Sequence, residues 1–262
     1  MKVLVIGAHG KIGQILTKKL HDSNDFEEVA GLRTAEQRNA YEEAGVQTVA
    51  IDLEKEQTDL EKAMQGVDAV VFTAGSGGKT GPEKTMMIDL DGAVKSMKAA
   101  KNAGVKRFVI VSAINANKRD FWSYGRHELG ATGNFYYAAK HYADLYLEHS
   151  DLDYTILRPT LLLDDEGTGK VTITDDLEKV DSPKMKIPRA DVAATVMAVL
   201  NNQATIRRSF DLDGGDTPIK EAIDNQTTIV LTENRILCFI FLVCNRRLAL
   251  PIDLFPMRTS FQ

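Results

Sequence analysis

The chain is poor in cysteine, in excess positive charge and in long apolar runs, and each shortage excludes something. Only Cys238 and Cys244 occur among 262 residues, both near the C-terminus. The body therefore holds neither a disulfide framework nor a cysteine-ligated metal centre, which fits a reducing cytoplasm. Lysine and arginine total 32 against 37 acidic residues, a formal net charge of −5, so there is no basic field for nucleic acid. The apolar stretch ILCFIFLVC at 236–244 falls well short of the roughly 20 residues needed to cross a bilayer, which removes the membrane as an expected partner. MKVLVIG is apolar for too few residues to act as a secretory leader. There is no H-E-x-x-H, no cluster of acidic metal ligands and no G-x-S-x-G elbow, so no metal is expected and hydrolase chemistry has no motif behind it.

What remains is a regular alternation. Apolar runs at 2–6, 27–32, 46–51, 67–72, 107–112 and 154–159 predict strands. The stretches 11–22, 35–44, 56–65, 83–103 and 133–149 predict helices between them. Strands bounded by helices in this rhythm form βαβ units, and their near-continuous apolar character suits a parallel sheet covered on both faces. The segment 160–221 is looser. It holds a short strand in DDEGTGKVTIT, a helix at 189–201 preceded by Pro188, and a strand at 209–215, and is expected to be a small substrate-side region of the same domain. From 222 onward lysine and glycine disappear; the apolar run at 236–244 reads as a buried helix, an edge strand, an interface or sequence foreign to the fold, and on the last reading residues 222–262 lie outside the α/β unit.

Gly7, Gly10 and Gly13 stand at G-x-x-G-x-x-G spacing between the first strand and the first helix. In that place the first permits a tight turn, the second lets a phosphate approach the backbone, and the third lets helix and strand pack closely. The free N–H groups at the helix start would receive a pyrophosphate, with His9, Lys11 and Ile12 beside it. A tight turn without ligand is the alternative. The end of the second strand decides between nucleotides. Arg33 stands where an acid would bind the ribose hydroxyl of NAD, which points to the 2′-phosphate of NADP, although NAD(H) stays open and so does a merely solvated arginine. Asp52 and Leu53 after the third strand, and Thr73, Ala74 and Gly75 after the fourth, fall at the sheet edge where nucleotides bind. There Asp52 is equally a helix cap and the glycines equally a flexible turn.

In NFYYAAKHYADLYL, Tyr136 and Lys140 lie four apart and so on one helical face, downstream of Ser112 at the end of the fifth strand. A packing face rich in tyrosine is the other reading of this helix. With GAHGKIG, TAG at 73–75, GVKRFVIVSA at 104–113 and LDYTILRPTLL at 152–162, the first 220 or so residues resemble the short-chain dehydrogenase/reductase superfamily, in particular its atypical NAD(P)-binding, NmrA-like, epimerase/dehydratase-like and biliverdin/flavin-reductase-like members. The resemblance implies a Rossmann-type doubly wound sheet. It implies Tyr136 as general acid, Lys140 as the cation that favours the phenolate and holds the nicotinamide ribose, and Ser112 as the hydroxyl that polarises a carbonyl. It also places Pro159 and Thr160, with Arg158 before them, beside the nicotinamide. The string VSAIN departs from the family pattern, because Ala113 and Ile114 occupy positions where a later serine is common.

The loop 114–134, with Phe121, Trp122, Tyr124, Arg126 and His127, either covers the nicotinamide end as a pocket or is pinned by its own aromatics. The expected activity is NADP(H)-dependent hydride transfer with a small carbonyl, quinone or flavin-like substrate. A non-catalytic NAD(P)-binding redox sensor and a sugar epimerase/dehydratase are the alternatives. The chain is expected to be a cytoplasmic monomer or homodimer.

Overall fold

The computed structural model describes residues 1–123, 130–181 and 183–227. Contacts divide the chain into two units, Met1–Ile223 and Asp224–Gln262. Tyr124, Arg126, His127, Cys238 and Cys244 lie outside the described residues, as does nearly all of the expected 222–262 tail.

The strands of the first unit are β1 Lys2–Ile6, β2 Glu27–Leu32, β3 Gln47–Ala50, β4 Ala69–Phe72, β5 Arg107–Val111, β6 Asp153–Pro159, β7 Leu161–Leu163, β8 Lys170–Thr174, β9 Lys186–Pro188, β10 Arg208–Gly214 and β11 Thr217–Pro218. The helices are α1 Lys11–His21, α2 Ala35–Glu43, α3 Gln57–Ala63, α4 Pro82–Lys84, α5 Ala93–Asn102, α6 Arg119–Ser123, α7 Gly130–Glu148 and α8 Arg189–Leu200. Nine strands form one sheet in the order β11-β8-β10-β6-β5-β4-β1-β2-β3. From β3 to β10 neighbours run parallel, whereas β8 joins β10 and β11 antiparallel. The looser segment after 160 thus extends the main sheet, and among the described residues only β7 and β9 pair apart from it.

The double winding follows from the two-residue alternation of a strand. In β1, Val3 and Val5 pack on one face with Leu16, Val196 and Phe210, while Leu4 and Ile6 pack on the other with Met97, Phe108 and Ile156. Both faces are apolar, so every central strand must be covered twice, and the helices do this. The order of strands reverses at β1, which pairs with β2 on one side and with β4 on the other. A crevice opens at their C-terminal ends, the usual ligand position in such sheets.

The helix expected at 83–103 is not uniform. Residues Thr85–Gly92 form a π-helical segment between α4 and α5. Its wider turn carries an acidic residue, Asp89, into the protein, where it is only 1% exposed.

Candidate functional site

The crevice is a cleft of about 890 Å3 running along the C-terminal edge of the sheet. Gly7, His9, Gly10, Lys11, Ile12, Arg33, Asp52, Leu53, Thr73, Ala74, Gly75, Ser112, Tyr136 and Lys140 all line it. Residues far apart in sequence thus meet in one place, at a size usual for small-molecule sites.

At one end stands the β1–α1 turn. Gly7 has φ +85°, and a Cβ there would lie 2.6 Å from the Ala74 nitrogen. Gly13 does not face the cleft; a Cβ on it would sit 2.2 Å from the Gly7 carbonyl oxygen, so glycine is what lets α1 start against the turn. Gly10 is the N-cap of α1, offers no capping side chain, and donates its N–H to the Gly7 oxygen at 2.9 Å. The first turn of α1 also carries no acid. A cradle that side chains would fill, at a helix start with uncapped amides, fits the diphosphate of a dinucleotide. The Tyr41 hydroxyl donates to the Ala8 oxygen at 2.8 Å and fixes the turn from below.

The Arg33 position is set by a capping box. Thr34 Oγ1 accepts from the Gln37 N–H, and Gln37 Oε1 accepts from the backbone N–H groups of Thr34 and Arg33 at 3.3 and 3.1 Å. Arg33 is exposed and lines the cleft. Asp52 lines the cleft but does not cap α3, whose N-cap is Glu56; its Oδ1 accepts from the Glu54 N–H at 3.0 Å in the preceding turn.

At the other end α7 presents Tyr136 and Lys140. The Lys140 ammonium lies 5.8 Å from the centre of the Tyr136 ring. It is buried, and its Nζ is 3.1 Å from Asp89 Oδ1. Burial works to lower the ammonium's proton affinity, but the negative forms of Tyr136 and Asp89 outweigh it and hold Lys140 above the ordinary lysine value. Asp89 also accepts the Ser76 N–H at 2.8 Å, so one carboxylate ties the lysine to the loop after β4. Sequence reasoning missed Asp89. The available signal was a lone acid inside the apolar string MMIDL, a pattern with no explanation on an ordinary amphipathic helix.

Ser112 is buried at the mouth of β5, and its backbone N–H donates to the Leu157 oxygen at 2.8 Å. Its hydroxyl lacks a well-formed hydrogen bond and lies toward Asp144, whose Oδ1 is likewise unmatched. Burial pushes the Asp144 carboxyl up, opposed by Arg158 and by the Ser112 hydroxyl. Arg158 Nε donates to Asp144 Oδ2 at 2.9 Å and Nη2 to Glu148 at 3.1 Å.

Arg158, Pro159 and Thr160 stand at the end of β6, where the sequence placed them, but do not line the cleft, and both side chains flanking Pro159 are engaged elsewhere. Arg158 is locked under α7, and the buried Thr160 hydroxyl donates to Asp213 at 2.6 Å. Of the long loop, Trp122 is buried and donates Nε1–H to the Ala116 oxygen at 3.3 Å, which pins the segment. Phe121 meets the Tyr137 ring edge-on, with centroids 5.4 Å apart. Among the described residues no cluster of three metal-binding side chains occurs, and no helix is long and apolar enough to cross a membrane.

A family model described as NAD(P)H-binding matches residues 7–203. The uncharacterized sugar epimerase YhfK of Bacillus subtilis is 46% identical over 223 residues, covering 85% of this chain and 99% of that one. A solved structure described as an NAD-dependent epimerase/dehydratase from Bacillus halodurans superposes with a TM-score of 0.76 at 38% identity, covering 86% of this chain and 99% of that one. The anaerobillin reductase ChuY from Escherichia coli O157:H7 superposes with a TM-score of 0.66 at 25% identity, covering 82% of this chain and 98% of that one. A Rossmann-type sheet, a glycine cradle at its switch point and a match over most of its length make this chain a member of the NAD(P)H-binding family.

Proposed function

We propose that the protein is an NADP(H)-dependent reductase of small carbonyl, quinone or flavin-like compounds. One observation carries the reading: a single cleft joins the glycine cradle and Arg33 at one end to Tyr136 and the buried Lys140 at the other. Bound there, NADP(H) would supply the hydride. The chain's own residues do the rest. The amides of α1 and the Gly7–Gly10 turn hold the diphosphate, and the Arg33 guanidinium pairs with the 2′-phosphate in a charge-assisted fork. Tyr136 gives its phenolic proton to the substrate oxygen, and Lys140 steadies the negative charge left on the phenol. The description of one similar structure as an anaerobillin reductase supports the choice of a reductase.

Purified protein with NADPH and a panel of quinones, flavins, aldehydes and ketones is expected to consume the nucleotide. Tyr136→Phe is expected to lower turnover about 100- to 10,000-fold with nucleotide affinity retained. Full turnover in that variant overturns the assignment of Tyr136.

The second reading is a redox sensor, and the Ser112 hydroxyl favours it, since it lies toward Asp144 at the one position expected to polarise a carbonyl. Preference for one redox form of NADP(H), with no turnover on that panel, would select it. The epimerase descriptions of two relatives support a third use of the same nucleotide, which product analysis with sugar nucleotides separates from reduction.

A further inference from the structure

Asp164 follows β7 and stands on the surface, 61% exposed. It holds two cations at once. Lys11 Nζ pairs with its Oδ2, and Arg189 Nη1 donates to its Oδ1 at 2.5 Å. Those cations come from distant parts of the chain, yet occupy equivalent places: Lys11 is the first residue of α1 and Arg189 the first of α8. Both line the cleft, and Asp164 itself does not. Two positive side chains at the diphosphate end are therefore already committed to a carboxylate of the protein.

Resting on the nucleotide-binding reading above, we infer that Asp164 is a built-in counter-anion that competes with the nucleotide diphosphate for Lys11 and Arg189 and so weakens nucleotide binding. The physical case is one of relative cost. An exposed ion pair contributes little to stability, so letting go of Asp164 costs the protein little. A nucleotide carries several negative charges, and a fixed carboxylate behind its two cations repels each of them. A dinucleotide enters by taking a share of Lys11 and Arg189, and leaves more readily because Asp164 takes them back. Fast exchange is useful in a reductase that must release its oxidised nucleotide in every cycle.

The position of the contact makes a sharp distinction. Arg33 reads the 2′-phosphate, which only NADP(H) carries, whereas the diphosphate is common to both nucleotides. Relief from Asp164 must therefore act on NADPH and NADH alike.

The test is the dissociation constant of NADPH and of NADH for the full chain, by fluorescence titration, in the wild type, Asp164→Asn and Asp165→Asn. Asp165 is the neighbouring acid, and its removal changes the net charge equally. Asp164→Asn is expected to bind both nucleotides about three- to tenfold more tightly at about 0.01 M salt, and the gain should fade near 1 M salt, where screening reduces the reach of a charge to about 3 Å. Asp165→Asn is expected to shift either constant less than about twofold. A melting scan confirms that the variants are folded. Unchanged or weaker binding in Asp164→Asn overturns the inference, and so does an equal gain in Asp165→Asn, which would make the effect one of net charge alone. A gain confined to NADPH would also overturn it, by moving the contact to the 2′-phosphate. Wild type that binds neither nucleotide overturns the nucleotide-binding reading and this inference together.

Discussion

Water scarcely reaches the ion pair of Lys140 and Asp89, whose side chains are 5% and 1% exposed. A buried pair of this kind is favourable only while both members are present, since either alone is a desolvated charge. Lys140→Met is therefore expected to destabilise the protein by about 3–5 kcal/mol by stranding the Asp89 carboxylate. Asp89→Asn strands the ammonium, with a cost of the same order. The double variant Lys140→Met/Asp89→Asn should lose less than the sum of the two, because it strands nothing. Denaturant titration of the four proteins checks this. Additive losses would show that the two groups do not depend on each other. Such a cycle also matters for chemistry: a drop in turnover in Lys140→Met reports on the reaction only once the lost stability has been measured.

Helix α8 ends against a buried arginine. The Arg107 guanidinium donates to the carbonyl oxygens of Val199 and Leu200 at 2.7 and 3.3 Å, to that of Asp153 at 2.7 Å, and to the Thr155 hydroxyl at 2.8 Å. Burial brings its pKa down to about 10, still charged at neutral pH. One side chain from β5 thus satisfies the last carbonyls of α8 and the start of β6, and Arg107→Met is expected to cost at least about 3 kcal/mol through orphaned acceptors. For a unit of this size that is a melting point lower by roughly 6–12 °C, readable by calorimetry. A loss under about 1 kcal/mol would mean that water replaces the guanidinium at those carbonyls. The sequence showed Arg107 only as the first residue of an apolar strand. The strands themselves were legible because their signal is local: EEVAGL was expected at 27–32, and β2 spans Glu27–Leu32. The glycine spacing, Arg33 and the Tyr136–Lys140 face were legible for the same reason. Asp89, Arg107 and Asp164 were not, since each acquires its role in part from a partner more than 50 residues away: Lys140 for Asp89, Leu200 for Arg107 at a separation of 93, and Lys11 for Asp164 at 153. The π-helical turn was hidden too, because a change from α to π spacing leaves no mark in composition. Pro159 and Thr160 are a different case: β6 ends at Pro159 as the string implied, but the Thr160 hydroxyl is held by Asp213, a partner 53 residues away.

The chain as a whole carries a net charge of −5, yet His9, Lys11, Arg33, Lys84, Lys140 and Arg189 all line one cleft. Asp52, Glu54 and Asp89 line it as well, so the cleft carries a modest excess of basic groups where a ligand with several phosphates would lie, while acidic groups prevail over the rest of the sequence. A binding site of that kind couples the nucleotide to the stability of the folded protein. A ligand that binds only the folded state at about 100 times its dissociation constant adds about 2.7 kcal/mol, which for a unit of this size raises the melting point by roughly 5–10 °C. NADPH at such a concentration is expected to produce this rise, and NADH at the same concentration a smaller one, because only NADPH offers a 2′-phosphate to Arg33. Arg33→Ser should bring the two nucleotides level by lowering the NADPH shift while leaving that of NADH in place. Scanning calorimetry of both proteins with each nucleotide makes the comparison. Equal shifts in the wild type would remove Arg33 from the discrimination, and a loss of both shifts in Arg33→Ser would give it a part in holding the adenosine common to the two.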